Sequence, residues 1–502
     1  MLTEAKKYQA FYTNSTPIVE YMVNKLQVKH GDKIFDPCGG DGVFVEALLK
    51  ANEYADIDVC ELNVVAVNTL KNKFSAHQNV KIRACDTLLD SELMFNSCFG
   101  GIYDKIIANP PYGAWQDADK RVTLKKIYSD LYVKETYALF LFRCIELLKD
   151  EGVLTFIIPD TFLNLHMHKA IRKHILSRTK VLELALFPSS FFPGVNFGYA
   201  NLSIITLQKT SCHEACFNNS FNVLTNFKNV KQLVDSKGAD IKIHSLSQQE
   251  VFLNPDHAFL ISDNSLILKS ICSIETKIGD IASCVTGFYS GDDKTFLQVI
   301  NPGLKNGKNY NVVDSSKINR DYKNIPFILD GIDGEKSFLP IVKGGNAKYW
   351  KPENWFMNWG KEAVSHYKNN KKTRFQNQRY YFKFGIGVPM ISSSSISASL
   401  IENKLFDQSI VGIFPEDEAM TYYLLAFFNS PTCNKLIRTI NPSANNPANY
   451  LKKIPFIAPT EGQKNLIDDT TKNIIKSIMT KGSFDHNMEA EINKTFEFIY
   501  GF

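Results

Sequence analysis

The sequence predicts an α/β fold in which a doubly wound domain comes first and an irregular α+β domain follows. Three observations carry that prediction. Short apolar runs in the first half are separated by helix-length spacers, the spacing of parallel strands joined by crossover helices. Polar motifs fall at the C-terminal ends of those runs, where open α/β sheets bind their ligands. From about residue 210 the alternation is lost and Gly, Asn and Ser turns take over.

The elements follow in order. Lys33, Ile34 and Phe35 form a first strand that runs into Asp36-Pro37-Cys38-Gly39-Gly40-Asp41-Gly42, and residues 43–52 then have a helical pattern. A second strand at 57–60 is closed by Glu61, and a third at 80–84 ends at Cys85 and Asp86. A fourth at 103–108 ends at Asn109-Pro110-Pro111-Tyr112. A helix over about 134–148 and a strand over 153–158, stopped by Pro159, complete the rhythm. Residues 210–265 read as a connector, 276–457 as mixed short strands and turns, and 465–480 as an amphipathic helix. The expected domains are 1–245, 246–460 and a C-terminal helical segment, 461–502.

With 44% hydrophobic and 22% charged residues, the 502-residue chain has enough apolar content for large cores and is not extensively disordered. No apolar run approaches the roughly 20 residues of a membrane-spanning helix, so no membrane partner is expected. The N-terminus lacks an apolar signal core, and the ten cysteines form no disulfide-like framework; together these predict a cytoplasmic protein with reduced thiols. Net charge is only +5, but the window 336–383 holds 11 Lys and Arg against 2 Asp and Glu, with Trp350, Trp355 and Trp359 among them. Basic side chains interleaved with aromatics suit a phosphate-lined partner, and equally a solvated surface over core aromatics.

The glycines of the 36–42 turn let backbone approach a ligand closely, and a carboxylate at Asp36 can accept from an ammonium. Glu61, 25 residues on at the next strand's end, is placed to hold both hydroxyls of a ribose. The absence of a spaced G-x-G-x-x-G argues for a nucleoside cofactor and against a dinucleotide. In Asn109-Pro110-Pro111-Tyr112 the two prolines stiffen the loop and remove two amide donors. The side-chain carbonyl of Asn109 and the backbone carbonyl of Pro110 can accept both hydrogens of one planar amine, localising its lone pair for attack on an electrophilic methyl. Tyr112 can stack on the base, a role that needs its ring and not its hydroxyl. Cys212 and Cys216 have no second ligand pair at a suitable spacing, so no metal is expected.

These motifs resemble the DNA adenine-N6 methyltransferases of restriction-modification and phage-defence systems, in the γ order that puts the cofactor motif before N-P-P-Y and the recognition domain last. The resemblance implies a Rossmann-like methyltransferase domain, S-adenosylmethionine as cofactor and double-stranded DNA as substrate. It implies a separately encoded restriction endonuclease or defence-system protein as a further partner. The segment of Phe11, Tyr12 and Thr13 matches the motif that packs over the cofactor's methionine part, with Thr13 or Thr16 as the contact. Asp36, Gly40 and Gly42 match the D-P-x-x-G-x-G loop, in which position 39 is often Cys. Glu61 and Leu62 match the ribose-and-adenine motif, and Asp86 with Thr87 the motif contacting the adenine amine. A second aromatic of the family clamps the flipped adenine; Phe192 is the choice here, with Phe187, Phe191 and Phe197 as alternatives. Phe338 to Asn346, Gly385 to Ser394, and Asn441 to Asn446 resemble the recognition domains of such enzymes. In the basic window, Lys371 and Lys372 are expected to touch DNA phosphates.

Other readings are an N-P-P-Y methyltransferase acting on RNA or a protein glutamine, and a specificity component with an inactive methyltransferase domain. The large second half disfavours the first; intact Asp36, Glu61, Asp86 and Asn109 disfavour the second. A cytosine-N4 enzyme more often has Ser at position 109. Only about ten residues precede the first motif, where a fused nuclease would ordinarily stand, so modification without cleavage is expected.

Overall fold

The computed structural model describes residues 15–112, 118–192, 201–235, 240–392, 395–441 and 445–502. The chain forms two units, Met1–Asp263 and Asn264–Phe502.

In the first unit, nine strands make one sheet: β1 (Lys33–Asp36), β2 (Asp56–Glu61), β3 (Val80–Ala84), β4 (Tyr103–Ala108), β5 (Leu148–Pro159), β6 (Thr179–Phe187), β7 (Leu202–Lys209), β8 (Ser220–Thr225) and β9 (Lys242–Ser247). Their order is β3-β2-β1-β4-β5-β7-β6-β8-β9. β1 to β5 pair in parallel, as expected, and β7 lies antiparallel between β5 and β6. Helices cover the sheet, so its central strands are apolar throughout rather than alternating; Ile34, Phe35, Ile106, Ile107 and Ala108 are all fully buried. The order reverses at β1, which has β2 on one side and β4 on the other, and such a switch point opens a crevice at the strands' carboxyl ends. Helix Thr136–Leu147 is apolar nearly all round and has ten of its twelve residues buried.

The expected boundary at 245/246 falls inside β9, which pairs antiparallel with β8 over its whole length. Residues 220–225 and 242–247 are therefore sheet and not connector. β8 and the edge strand β9 escape the sequence reading because both are short and partly exposed, with polar residues set between their apolar ones. Just past the expected boundary, the fully buried Gln248 accepts from the Val181 amide (3.0 Å) and Asn219 (3.0 Å) and donates to the carbonyls of Leu176 (2.9 Å) and Thr179 (2.6 Å).

The second unit holds β10 (Ala282–Thr286), β11 (Leu297–Val299), β12 (Phe338–Val342), β13 (Trp355–Asn358), β14 (Ile386–Pro389), β15 (Ser399–Leu400), β16 (Leu405–Phe406) and β17 (Ile410–Pro415). They form two four-stranded sheets, β10-β17-β14-β15 and β11-β13-β12-β16. Trp359 is fully buried among Phe288, Tyr367 and Phe375, so one of the three tryptophans in the basic window belongs to the core. The C-terminal helices Glu461–Lys481 and His486–Tyr500 join this unit and do not stand apart: Tyr500 stacks on Phe427 and its hydroxyl donates to the Pro455 carbonyl (2.9 Å).

Among the described residues, no helix is long and apolar enough to cross a membrane. Two of the ten cysteines, Cys60 and Cys85, are brought together across the ends of β2 and β3, with Cα atoms 5.7 Å apart. Strand pairing makes them neighbours, which a separation of 25 residues in sequence does not reveal.

Gln248 yields a test of the boundary. Gln248→Ala leaves the Val181 amide and two buried carbonyls unsatisfied and should cost about 2–4 kcal/mol. A fragment ending at Ser245 should melt well below one ending at Asp263 when followed by circular dichroism. Equal melting of the two fragments would restore the boundary at 245.

Candidate active site

The carboxyl ends of β1 to β4 are laced to one another. The turn after β1 donates Gly39 N–H to the Cys60 carbonyl at the end of β2 (2.9 Å). Its next amide, Gly40, donates to Glu61 Oε2 (2.9 Å), while Asn63 N–H holds Glu61 Oε1 (2.7 Å). The Cys85 amide, after β3, donates to the Glu61 carbonyl (3.1 Å), and Thr87 Oγ1 donates to the Pro37 carbonyl (2.6 Å). The Cys38 thiol reaches across to the Asn109 carbonyl at the end of β4 (3.4 Å). Motifs scattered over 75 residues thus become one hydrogen-bonded rim.

A glycine is required at position 39, since a Cβ there would sit 2.4 Å from Val59 Cγ1. Gly42 has φ +81° and caps helix Val43–Ala51, with Leu70 and Phe74 where a side chain would stand.

Asp36 is fully buried. Its Oδ1 accepts from the Cys38 amide (3.1 Å), and its Oδ2 is buried with no partner. Burial, then the nearby carboxylates of Glu61 and Asp41, push its pKa up to about 7. Asp86 accepts from the Leu88 amide (3.1 Å) and is ion-paired with Lys120, a contact with no signal in the motif itself. Leu62 is 48% exposed, an apolar surface beside Glu61, whereas Thr87 is buried and committed to the Pro37 carbonyl.

At the end of β4, the Tyr112 hydroxyl lies 2.7 Å from Asn109 Oδ1 and 3.3 Å from the Ile157 carbonyl. Its buried ring meets Tyr137 edge-on at 6.4 Å. Thr136 Oγ1 donates to the Pro111 carbonyl (2.5 Å), tying the stiff loop to the buried helix Thr136–Leu147. Motif reading missed Cys38, Lys120 and Thr136 because each acts through a tertiary contact.

Phe192 is 1% exposed and Phe187 2%, both in the core; Phe191 stacks on Phe187 with centroids 6.0 Å apart. Thr13 and Phe197 lie outside the described residues, and Thr16 opens helix Thr16–Leu26. Lys371 and Lys372 are exposed on a turn of the second unit.

The rim suits a ligand carrying an ammonium, a ribose diol and an adenine. Asp36 has an unsatisfied buried acceptor, Glu61 is oriented by two amides, and Leu62 offers an apolar face next to it. These are the groups of S-adenosylmethionine.

Residues 46–192 match the model of the Eco57I restriction-modification methylase family. The Type II methyltransferase M.AccI of Acinetobacter calcoaceticus is 24% identical over 67% of this chain and 60% of its own length. The Type II methyltransferase M.HindII of Haemophilus influenzae is 22% identical over 98% of both chains. The adenine-specific methyltransferase BrxX of Escherichia coli is 23% identical over 79% of this chain, which spans 31% of that protein. Among solved structures, a nuclease-deletion mutant of the Type ISP restriction-modification enzyme LlaGI, in complex with a DNA substrate mimic, superposes with a TM-score of 0.57 at 12% identity. That match covers 93% of this chain and 54% of the other, and it shows a shared fold.

Asp36 sets a pH dependence. The folded protein keeps the Asp36 proton up to about pH 7, whereas an unfolded chain loses it near pH 4. Between those values the folded state binds the extra proton, so stability without cofactor falls as pH rises and levels off above pH 7. Asp36→Asn should flatten that window by as much as about 4 kcal/mol in urea melts at a series of pH values. An unchanged slope would show that Asp36 does not titrate there.

Proposed function

We propose that this chain, whose residues 46–192 match the Eco57I restriction-modification methylase family, is a site-specific DNA adenine-N6 methyltransferase that modifies double-stranded DNA in the cytoplasm. The observation that carries the reading is the position of Asn109. Its amide stands at the end of β4, joined through Cys38 to the very turn that holds Asp36. An amine acceptor and a cofactor turn share one rigid rim.

S-adenosylmethionine supplies a methyl on a sulfonium, open to attack by a nucleophile brought into line with it. Asp36 takes the cofactor's ammonium on its bare oxygen, which relieves the repulsion of three clustered carboxylates. Glu61 accepts the two ribose hydroxyls, Leu62 packs on the adenine, and Asp86 accepts the adenine amine in exchange for part of its contact with Lys120. The target adenine must leave the helical stack, because its amine is unreachable inside the duplex. Asn109 Oδ1 and the Pro110 carbonyl then accept its two amine hydrogens, and the transition-state charge on nitrogen is stabilised by acceptors already in place. Tyr112 provides a ring for the base, and its hydroxyl orients the Asn109 amide. A second aromatic, with Phe192 the choice, closes on the other face once the ring is uncovered. In the second unit Lys371 and Lys372 bind phosphates, which position the duplex without reading it. A separately encoded endonuclease or defence protein is the expected partner.

Glu61→Ala should weaken S-adenosylmethionine binding roughly tenfold or more in calorimetry, since a charged hydrogen-bonding partner is lost. Unchanged affinity would remove Glu61 from the site. Asn109→Ala should abolish methylation and leave cofactor binding and melting temperature in place. Tyr112→Phe should lower kcat several-fold with KM unchanged, whereas Tyr112→Ala should also lose affinity for DNA with the flipped base. If Phe and Ala behave alike at 112, the ring does not stack. Neutralising Lys371 and Lys372 together should weaken binding to all duplexes alike and flatten the salt dependence, with the methylated sequence unchanged.

A further inference from the structure

In the second unit, the connection from β12 to β13 folds back on itself. Lys351, near its end, turns its ammonium onto its beginning: Nζ donates to the carbonyls of Lys343 (3.2 Å) and Gly345 (3.0 Å). The Gly344 amide donates to Ser409 Oγ (3.0 Å), which anchors the same turn. The turn and Lys351 line a cavity of about 210 Å³. That is smaller than the roughly 300–1,000 Å³ of sites that enclose a whole small molecule, so the cavity suits one compact group.

Three lysines line it: Lys343, Lys351 and Lys404. Two are neutralised. Lys343 is ion-paired with Asp293 (3.4 Å) and Asp407 (3.5 Å), and Lys404 with Glu402 (2.8 Å) and Glu353 (3.5 Å). Glu353 is the one carboxylate among the described residues of the cavity wall, and it also holds Arg320. Lys351 differs. Among the described residues it forms no ion pair, and both its hydrogen bonds go to neutral carbonyls. Burial pulls its pKa down to about 8, with no neighbouring charge to offset the effect. An ammonium withdrawn from water without a counter-charge is costly, and an anion in the cavity offsets that cost.

The outer wall is open backbone. Gly344, Gly345, Asn346 and Ala347 are all exposed. Gly345 has φ +131°, and a Cβ there would meet nothing within 4 Å, so a ligand can approach the chain closely. The chemistry of the donors selects among anions. A planar carboxylate is matched by the arginine fork, whereas a lysine is a point charge of the kind that holds phosphates. No arginine is among the described residues of the cavity wall. The surrounding window 336–383, with 11 Lys and Arg against 2 Asp and Glu, draws anions towards it.

We propose that this cavity binds a single phosphate group, with Lys351 as its counter-charge and the 344–345 backbone as its rim. A backbone phosphodiester of duplex DNA and inorganic phosphate share this chemistry. The duplex as source rests on the proposed methyltransferase reading, and the phosphate site stands without it. Such a contact positions a duplex and reads no base.

Chemical acetylation of the full chain, followed by mass spectrometry at each lysine, tests the site without a variant. Inorganic phosphate or duplex DNA, each against sodium chloride at matched ionic strength, should slow labelling of Lys351 several-fold. Inorganic phosphate should leave the labelling of Lys472, in the C-terminal helix Glu461–Lys481, unchanged. Lys351→Met should bind duplexes of every sequence more weakly, with the slope of log affinity on log salt reduced by about one, and keep its S-adenosylmethionine affinity. Protection by the duplex together with weaker binding by the variant assigns the site to a backbone phosphodiester. Protection by inorganic phosphate, with duplex binding unaltered in Lys351→Met, assigns it to free phosphate. Protection by neither would overturn the proposal, as would protection by the duplex alone with no loss of binding in a folded Lys351→Met protein. A wild type that binds no S-adenosylmethionine would instead defeat the methyltransferase reading and leave the phosphate arm standing.

Discussion

The hydrogen bonds between the turn after β1 and the ends of β2, β3 and β4 are the constraint on which the rest depends. One amide of that turn holds the Cys60 carbonyl and the next holds the Glu61 carboxylate. The Pro37 carbonyl takes Thr87, and the Cys38 thiol reaches Asn109. Each bond alone contributes only about 1 kcal/mol. Their arrangement matters more, because Asp36, Glu61, Asp86 and Asn109 each make one of them or stand next to a residue that does. The rim turns four independent strand ends into one rigid receptor edge.

That rigidity carries an electrostatic cost. Asp36 is buried with one oxygen unsatisfied, and Glu61 and Asp41 lie close enough to raise its pKa further. A cation beside the unpartnered oxygen would offset both defects together. Lys120 already plays that part for Asp86. In the second unit Lys351 fixes the turn after β12 by holding two of its carbonyls. Buried polar groups elsewhere hold segments in one orientation in the same way, as Gln248 does between β6 and the helix before it.

The parallel strands, the position of each polar motif at a strand's end and the N-P-P-Y loop were all legible in the chain. They depend on local apolar runs, glycines and prolines, whose effects act within a few residues. β6 to β9 were not legible as strands, and of these β8 and the edge strand β9 are half-exposed and form only when β6 offers a partner. For the same reason Gln248 gave no hint that its four hydrogen bonds extend the first unit past residue 245. The basic window left two readings open, and Trp359 lies in the core of its unit as the second of them has it, since net charge counts residues and not the faces they occupy.

What the sequence by itself determined was therefore the parallel part of the first sheet, β1 to β5, and the identity of the groups at its rim. Periodicity and turn chemistry are properties of short segments, and a motif such as Asn109-Pro110-Pro111-Tyr112 carries its stiffness wherever it folds. Only the tertiary structure decided that Cys38 meets Asn109, that Cys60 meets Cys85, and that Lys351 turns back onto the carbonyls of Lys343 and Gly345. Those contacts join residues 25 to 71 positions apart or come from loops with no pattern of their own. Their partners are chosen by how strands and helices pack, which no local run of residues encodes.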